Sequence, residues 1–468
     1  MTQSVPPAAV DEPTPYPPRR AVTAWLLFDW AAQPFFTLVT TFIFAPFFAS
    51  ALAASPEQGQ TLWGYATGLA GLCIAILSPV LGAIADQAGA RKPWIAAFGS
   101  LLVLGCLLLW FAVPGAPLAI SIALAGYIMA LIGAEFATVF NNAMMPTLVP
   151  PEKIGRLSGT GWAVGYLGGL ISLALTLTFL AADPVSGKTL LGLSLPFGLD
   201  AMAREGDRLT GPLSALWFLV FVLPMFWLVP DHPRRMALGA AVGSGLARLK
   251  QTLRSLSLRR GSPTQGLSIF LLANMIYADA LVALFAFGGI YAAGVFGWGS
   301  IEIGVFGILL TITGTLGAWL GGKLDDKLGS GLVIKVSLIV LILTCIGIMG
   351  TTRDSILFFI PTTGPQPGGG LYASNPEKAY VVLGLFIGLV SGPVQAASRS
   401  LLIQLAPRRD IGQYFGLFAL SGKVTSFMAP LLVALVTQIT NSQQAGLIVL
   451  VVMFAAGFIL LKQRQVSD

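Results

Sequence analysis

Charge is what this sequence has least of. Only 10% of its 468 residues are Asp, Glu, Lys or Arg, against about a quarter in an ordinary soluble domain, and the mean hydropathy is +0.81. Such a chain cannot have water as its main solvent. Histidine occurs once, as His232 next to Asp231, which removes the usual centre of a catalytic relay or a histidine-built metal site. The three cysteines, Cys73, Cys106 and Cys345, sit far apart inside apolar runs, so neither a disulfide framework nor a zinc site is expected. No Walker-type loop, Gly-x4-Gly-Lys followed by serine or threonine, occurs, which argues against ATP as the direct driving force. With no nucleophile and base, metal cluster or phosphate cradle in view, the reading is a protein that is not an enzyme and needs no cofactor. The adjacent pair Asp325 and Asp326 belongs to a repeated loop described below rather than to metal chemistry.

What the chain has instead is apolar runs of bilayer-spanning length. They fall at 24–48, 62–85, 94–113, 118–140, 160–181 and 213–229, then at 267–292, 303–320, 332–350, 380–397, 413–436 and 445–461. Lipid cannot satisfy open backbone groups, so these runs must be helices. The expected fold is an all-α membrane protein of twelve transmembrane helices in two six-helix halves. Its expected divisions are a disordered tail 1–20, a first half 21–230, a basic connector 231–265, a second half 266–462 and a short tail 463–468.

The net charge of +7 would suit a nucleic-acid binder if the cations shared one folded face. They do not. Of the 27 Lys and Arg, only Lys188, Arg204, Arg208, Arg353 and Lys378 fall opposite the N-terminus, and Lys423 lies within a span. The other 21 lie on the N-terminal side, spread over short segments. The positive-inside rule then places both tails and the connector in the cytoplasm of a cell whose inner membrane the protein crosses. The lipid bilayer, not nucleic acid, is the expected large partner.

An internal repeat supports the two-half construction. Pro150-x3-Ile154-Gly155-x3-Gly159-x5-Gly165 recurs as Pro407-x3-Ile411-Gly412-x3-Gly416-x5-Gly422, and Gly82-x3-Asp86-x2-Gly89 recurs as Gly322-x3-Asp326-x2-Gly329. Each pair matches in spacing and in topological position. Six-helix repeats related by an axis normal to the membrane are how secondary transporters enclose a central cavity.

The loop Gly82-Ala-Ile-Ala-Asp86-Gln-Ala-Gly89-Ala-Arg91-Lys92 resembles the loop signature of the major facilitator superfamily, departing from it at Gln87 and Ala90, where bases are usual. The second copy, Asp326-Lys327-Leu-Gly329, keeps a base at the matching place. The resemblance implies a cytoplasmic latch between the halves built on Gly82, Asp86, Gly89, Arg91, Gly322, Asp326, Lys327 and Gly329. Further stretches are similar to the autophagy-related vacuolar effluxer family and its bacterial relatives: Leu27-Phe28-Asp29-Trp30-Ala31, Phe140-Asn141-Asn142 through Gly155-Arg156-Leu157-Ser158-Gly159 to Gly168-Gly169, Phe285 to Gly294, and Ser398-Arg399-Ser400 through Phe415-Gly416 to Gly422-Lys423. That likeness implies efflux of a small polar metabolite such as an amino acid. A drug or other metabolite exporter, or a lipid-handling or receptor derivative of the same fold, is the alternative. A monomer suffices to form a path.

Charges inside spans are costly and are functional candidates by default. The candidates, within a span or just past its end, are Asp29, Glu135, Asp279, Arg399 and Lys423. Counted from the N-terminal-side ends of their spans, Asp279 and Lys423 both lie about 18 Å deep, a depth that permits an ion pair between them. Asp29 or Asp279 either carries a coupling proton, with Lys423 as the switching charge, or belongs to a permanent structural pair. Glu135, Asn141, Asn142, Gln395 and Arg399 either line a vestibule for a zwitterion, or the asparagines end their helix and Arg399 anchors at the headgroups. Gln33 and Asn274 complete the polar set, facing the pathway or bonding between helices. Trp30 and Trp162 lie deep enough to face a substrate.

Overall fold

The computed structural model describes residues 16–182, 186–189, 191–298, 300–366 and 370–465. The expected tail at 1–20 falls mostly outside them, and the first helix already begins at Arg19. Among the described residues, twelve helices are long and apolar enough to cross a membrane. The first half holds α1 (Arg19–Leu52), α2 (Pro56–Ala88), α3 (Lys92–Leu108), α4 (Ala119–Asn142), α5 (Ile154–Phe179) and α6 (Glu205–Leu228). After it comes α7 (Leu238–Ser255), a helix inside the segment read as a plain connector. The second half holds α8 (Gln265–Phe296), α9 (Ser300–Leu328), α10 (Ser330–Met349) and α11 (Asn375–Leu405). Its eleventh span is split into α12 (Ile411–Lys423) and α13 (Met428–Thr440), and α14 (Gln443–Gln465) completes it.

Local chemistry explains the ends and breaks of these helices. Ser55 caps α2 by accepting the Gln58 N–H, with Pro56 in the first turn, and Ser374 with Glu377 forms a reciprocal capping box on α11. The α2 helix stops at Gly89 with φ +94°, and Gly329 after α9 has φ +85°. Both conformations favour glycine, so in each half the repeated motif ends its helix at a glycine of positive φ. Past Pro34, α1 relaxes into wider π-type turns over Phe35–Phe42.

The halves meet along two seams, α2 against α12 and α5 against α9. Glycine permits the approach: a Cβ on Gly82 would strike the Gly412 carbonyl, one on Gly416 the Ser78 and Pro79 backbone, and one on Gly159 the Ala318 carbonyl and Gly322. All of these contacts lie toward the face that carries the chain termini. Toward the opposite face the α2 seam parts. Gly64, Gly68 and Gly71 have open space around them, and Tyr65, Leu69 and Leu72 are exposed.

Candidate functional site

Between the halves lies a cavity of about 1060 Å³. Its lining reaches the opposite-face ends of the helices at Phe42, Ala293 and Ile303, and its floor, toward the termini face, carries Asp29, Glu135 and Arg399. The walls are largely apolar and aromatic, with Phe36, Trp162, Tyr166, Phe285 and Phe306 among them, while Gln33, Thr37, Ser391 and Gln395 add polar groups.

The floor is built from two ion pairs that cross between the halves. Arg399 on α11 is 2% exposed and takes nearly all its partners from the first half. Its Nε donates to Ser158 Oγ at 3.0 Å, its Nη2 to the Ser158 carbonyl at 2.7 Å and its Nη1 to Asn142 Oδ1 at 3.0 Å. Asp29 Oδ2 lies 3.7 Å from Nη1, and the guanidinium sits 4.7 Å over the Trp162 ring. Planarity and five donors suit arginine to this work, and the nearby anion and aromatic face offset its burial. The second pair joins Lys423 at the end of α12 to Glu135 on α4, with Nζ donating to Oε1 at 2.7 Å.

This geometry corrects several expectations. Lys423 pairs with Glu135, not with Asp279, whose carboxylate turns toward Thr425 and the Ala429 amide at the break between α12 and α13. Equal depth had allowed the Asp279 pairing, but rotation about the helix axis decides which side chains meet. Arg399 is buried in the seam rather than at the headgroups. Trp30 stacks on Trp217 within the first half and is not in the cavity wall, whereas Trp162 is. Asn274 donates to Ser421 Oγ at 2.9 Å, a bond between helices. Asn142 serves Arg399, and Asn141 accepts the Trp25 indole N–H on its carbonyl. Neither asparagine, nor Asn274, Asp279 or Lys423, is among the cavity-lining residues. Ser158, which stands in the sequence only as part of a motif, holds Arg399 by both its hydroxyl and its carbonyl. A small polar residue between Gly155 and Gly159 was the available signal.

Below the floor, the repeated motif makes two clamps. Asp86 on α2 accepts the amides of Gly412 and Gln413, at 3.0 and 2.8 Å, where α12 begins. It also takes Arg91 Nη2 at 3.1 Å, while Arg91 Nη1 reaches the Ala143 carbonyl. In the second copy, Asp326 on α9 accepts the Arg156 amide at 2.9 Å, where α5 begins, with the Arg156 guanidinium at 3.3 Å. Each carboxylate thus sits on the positive end of a helix from the other half. Lys327 is exposed, and Gly89 lets the Pro233 carbonyl approach closely.

Comparison with known proteins places this architecture. The family model described as "Vacuole effluxer Atg22 like" matches residues 58–467. The MFS-type transporter YxiO of Bacillus subtilis is 24% identical over 441 residues, covering 94% of this chain and 93% of that one. Autophagy-related protein 22 of Yarrowia lipolytica is 26% identical over 322 residues, covering 64% of this chain and 48% of the fungal protein, so the match spans about half that relative's length. Among solved structures, the MFS transporter FucP in its outward conformation superposes with a TM-score of 0.65 at 16% identity, over 95% of this chain and 98% of that one. The chain is therefore a multi-pass membrane transporter of the major facilitator fold and belongs to the vacuole effluxer Atg22-like family.

Proposed function

We propose that the protein exports a small zwitterionic metabolite such as an amino acid, coupled to protons, by alternating access around the central cavity. The observation that carries this reading is the floor, where two carboxylates and two cations are shared between the halves. A ligand carboxylate matches Arg399, and a ligand ammonium matches Asp29 and Glu135, the partners of Arg399 and Lys423. Such a ligand competes with the pairs that tie the halves together, so binding and release of the seam are linked. A proton on Asp29 removes the anion that both Arg399 and an ammonium group need, which couples proton entry to cargo release. On this reading the termini face is cytoplasmic, the cavity opens to the outside, and the Asp86 and Asp326 clamps hold the inner side shut.

A second reading, export of a larger amphipathic solute, draws on the cavity itself. At about 1060 Å³ it reaches the upper end of small-molecule pockets and has aromatic walls. Proteoliposomes loaded with labelled amino acids, with and without an imposed proton gradient, distinguish the two. Gradient-dependent flux that Asp29→Asn abolishes is expected. Flux that persists at the wild-type rate in Asp29→Asn refutes proton coupling at this residue, and absence of amino-acid flux with retained flux of an amphipathic dye selects the second reading.

A further inference from the structure

The helix α7 in the segment between the halves is absorbed by none of the transport chemistry, yet its surface is strongly organised. One face is buried. Ala241, Gly245, Leu249 and Thr252 turn inward, and Ala241 packs with Ile84, Ala88, Val80 and Trp94 at the ends of α2 and α3. Beside that face runs a second apolar stripe that no described residue covers. Leu238 is 58% exposed, Leu246 46% and Leu253 51%, with Val242 between them. At about 100° per residue the four fall within about 80° of arc, and Lys250 and Arg254 flank the stripe on its outer side. Both cations are exposed.

Its position says what covers the stripe. Counting from Ala88 at about 1.5 Å per residue, Ile84 and Val80 lie roughly 6 and 12 Å inside the span. A helix that packs on them therefore lies beside the end of the span, at the boundary of headgroups and acyl chains, not above it in water. The segment 231–265 carries seven Lys and Arg against the single acid Asp231, so the surface opposite it must be anionic. An apolar stripe bordered by cations at headgroup depth is the build of an interfacial helix.

We infer that α7 docks on the anionic lipid of the termini-side leaflet through Leu238, Val242, Leu246 and Leu253, with Lys250 and Arg254 on the headgroups. The docking bears on the seam between the halves, because the same helix rests on the first half through Gly245 against Ile84 and holds the second through Arg248, whose Nη2 donates to Asp410 Oδ2 at 2.7 Å. Asp410 immediately precedes the helix start that Asp86 clamps. The lipid-bound helix is thereby a strap over the first seam, and the charge of the leaflet sets how firmly it is held.

The test uses the full chain in a Cys73→Ala background, with a fluorophore on Leu246→Cys or, across the helix from the stripe, on Ala240→Cys. It is reconstituted in phosphatidylcholine vesicles with or without roughly a quarter phosphatidylglycerol, and quenching by brominated lipid is read. Strong quenching at 246 and weak quenching at 240 is expected in the anionic vesicles. The double variant Lys250→Glu with Arg254→Glu, both at exposed sites, should lower the equilibrium constant for docking by about fivefold per cation removed, read as weaker quenching at 246. Equal, water-like signals at 246 and 240 would overturn the docking and point to a soluble partner for the stripe. Quenching at 246 that is indifferent both to phosphatidylglycerol and to the charge reversal would overturn the assignment of anionic lipid.

Discussion

The two clamps come from one motif and occupy equivalent places, yet they are built to different strengths. Around Asp86 everything is inside: the carboxylate is 4% and Arg91 5% exposed, two amides of α12 converge on it, and Asp231 holds the Arg91 and Lys92 amides at 2.9 and 3.0 Å behind it. Around Asp326 one amide and one arginine serve, and although the Asp326 side chain is only 7% exposed, that of Arg156 is 56% exposed. The neighbouring Asp325 turns inward to take the Ser330 hydroxyl at 2.5 Å. A shared ancestry of sequence thus does not imply shared energetics. A charge pair withdrawn from water is costly to break, whereas an exposed pair is screened and contributes little.

That difference can be broken most directly at the carboxylates. Asp86→Ala strands a buried Arg91 and two helix-end amides, and should destabilise the protein by about 3–5 kcal/mol. Asp326→Ala loses one amide bond and a solvated pair, about 1 kcal/mol. Thermal unfolding in detergent reads both, and equal losses would refute the asymmetry. A smaller effect separates the closed end of the α2 seam from its open end. Gly416→Ala meets the backbone of Ser78 and Pro79 and should cost about 1–3 kcal/mol, while Gly68→Ala, with free space around it, should change stability by less than about 0.5 kcal/mol.

The smallest expected effect sharpens the comparison through pH. His232 stands beside the first clamp and has no counterpart at the second. Burial, followed by the nearby charges of Arg91 and Arg235, pushes its imidazole below the ordinary value near 6.5. The folded protein then binds fewer protons there than the unfolded chain, so stability falls as pH drops below about 6.5 and levels off once the folded imidazole itself is charged. Replacing it by His232→Gln should flatten that slope in an unfolding series between pH 7 and 5. An unchanged slope would place the sensitivity elsewhere.

Much of this was readable before any coordinates. The twelve spans follow from run length and hydropathy, and the glycine repeats marked the two seams because only glycine admits another backbone at that distance. The charged residues of the floor were legible because an ion in a span is conspicuous, whereas Ser158, Thr37 and Ser391, small and uncharged, were not. Nor were the partnerships of the charges. The Asp279 to Lys423 pairing failed because depth along a helix is additive in the sequence and direction around it is not, once α12 breaks at 424–427 and each helix tilts to pack. The helix α7 was missed because its apolar residues are few and interleaved with cations, so composition alone reads it as connector.

By itself, then, the sequence determined that the chain lives in lipid, how often it crosses and where its halves repeat, since these depend on transfer free energies and spacings local to each segment. Only the tertiary structure decided which charges neutralise each other, that Arg399 and Lys423 reach across to the first half, and that the arginine of one clamp is buried while that of the other stays exposed. Those outcomes depend on packing between segments more than a hundred residues apart, where a rotation of a few tens of degrees exchanges one partner for another.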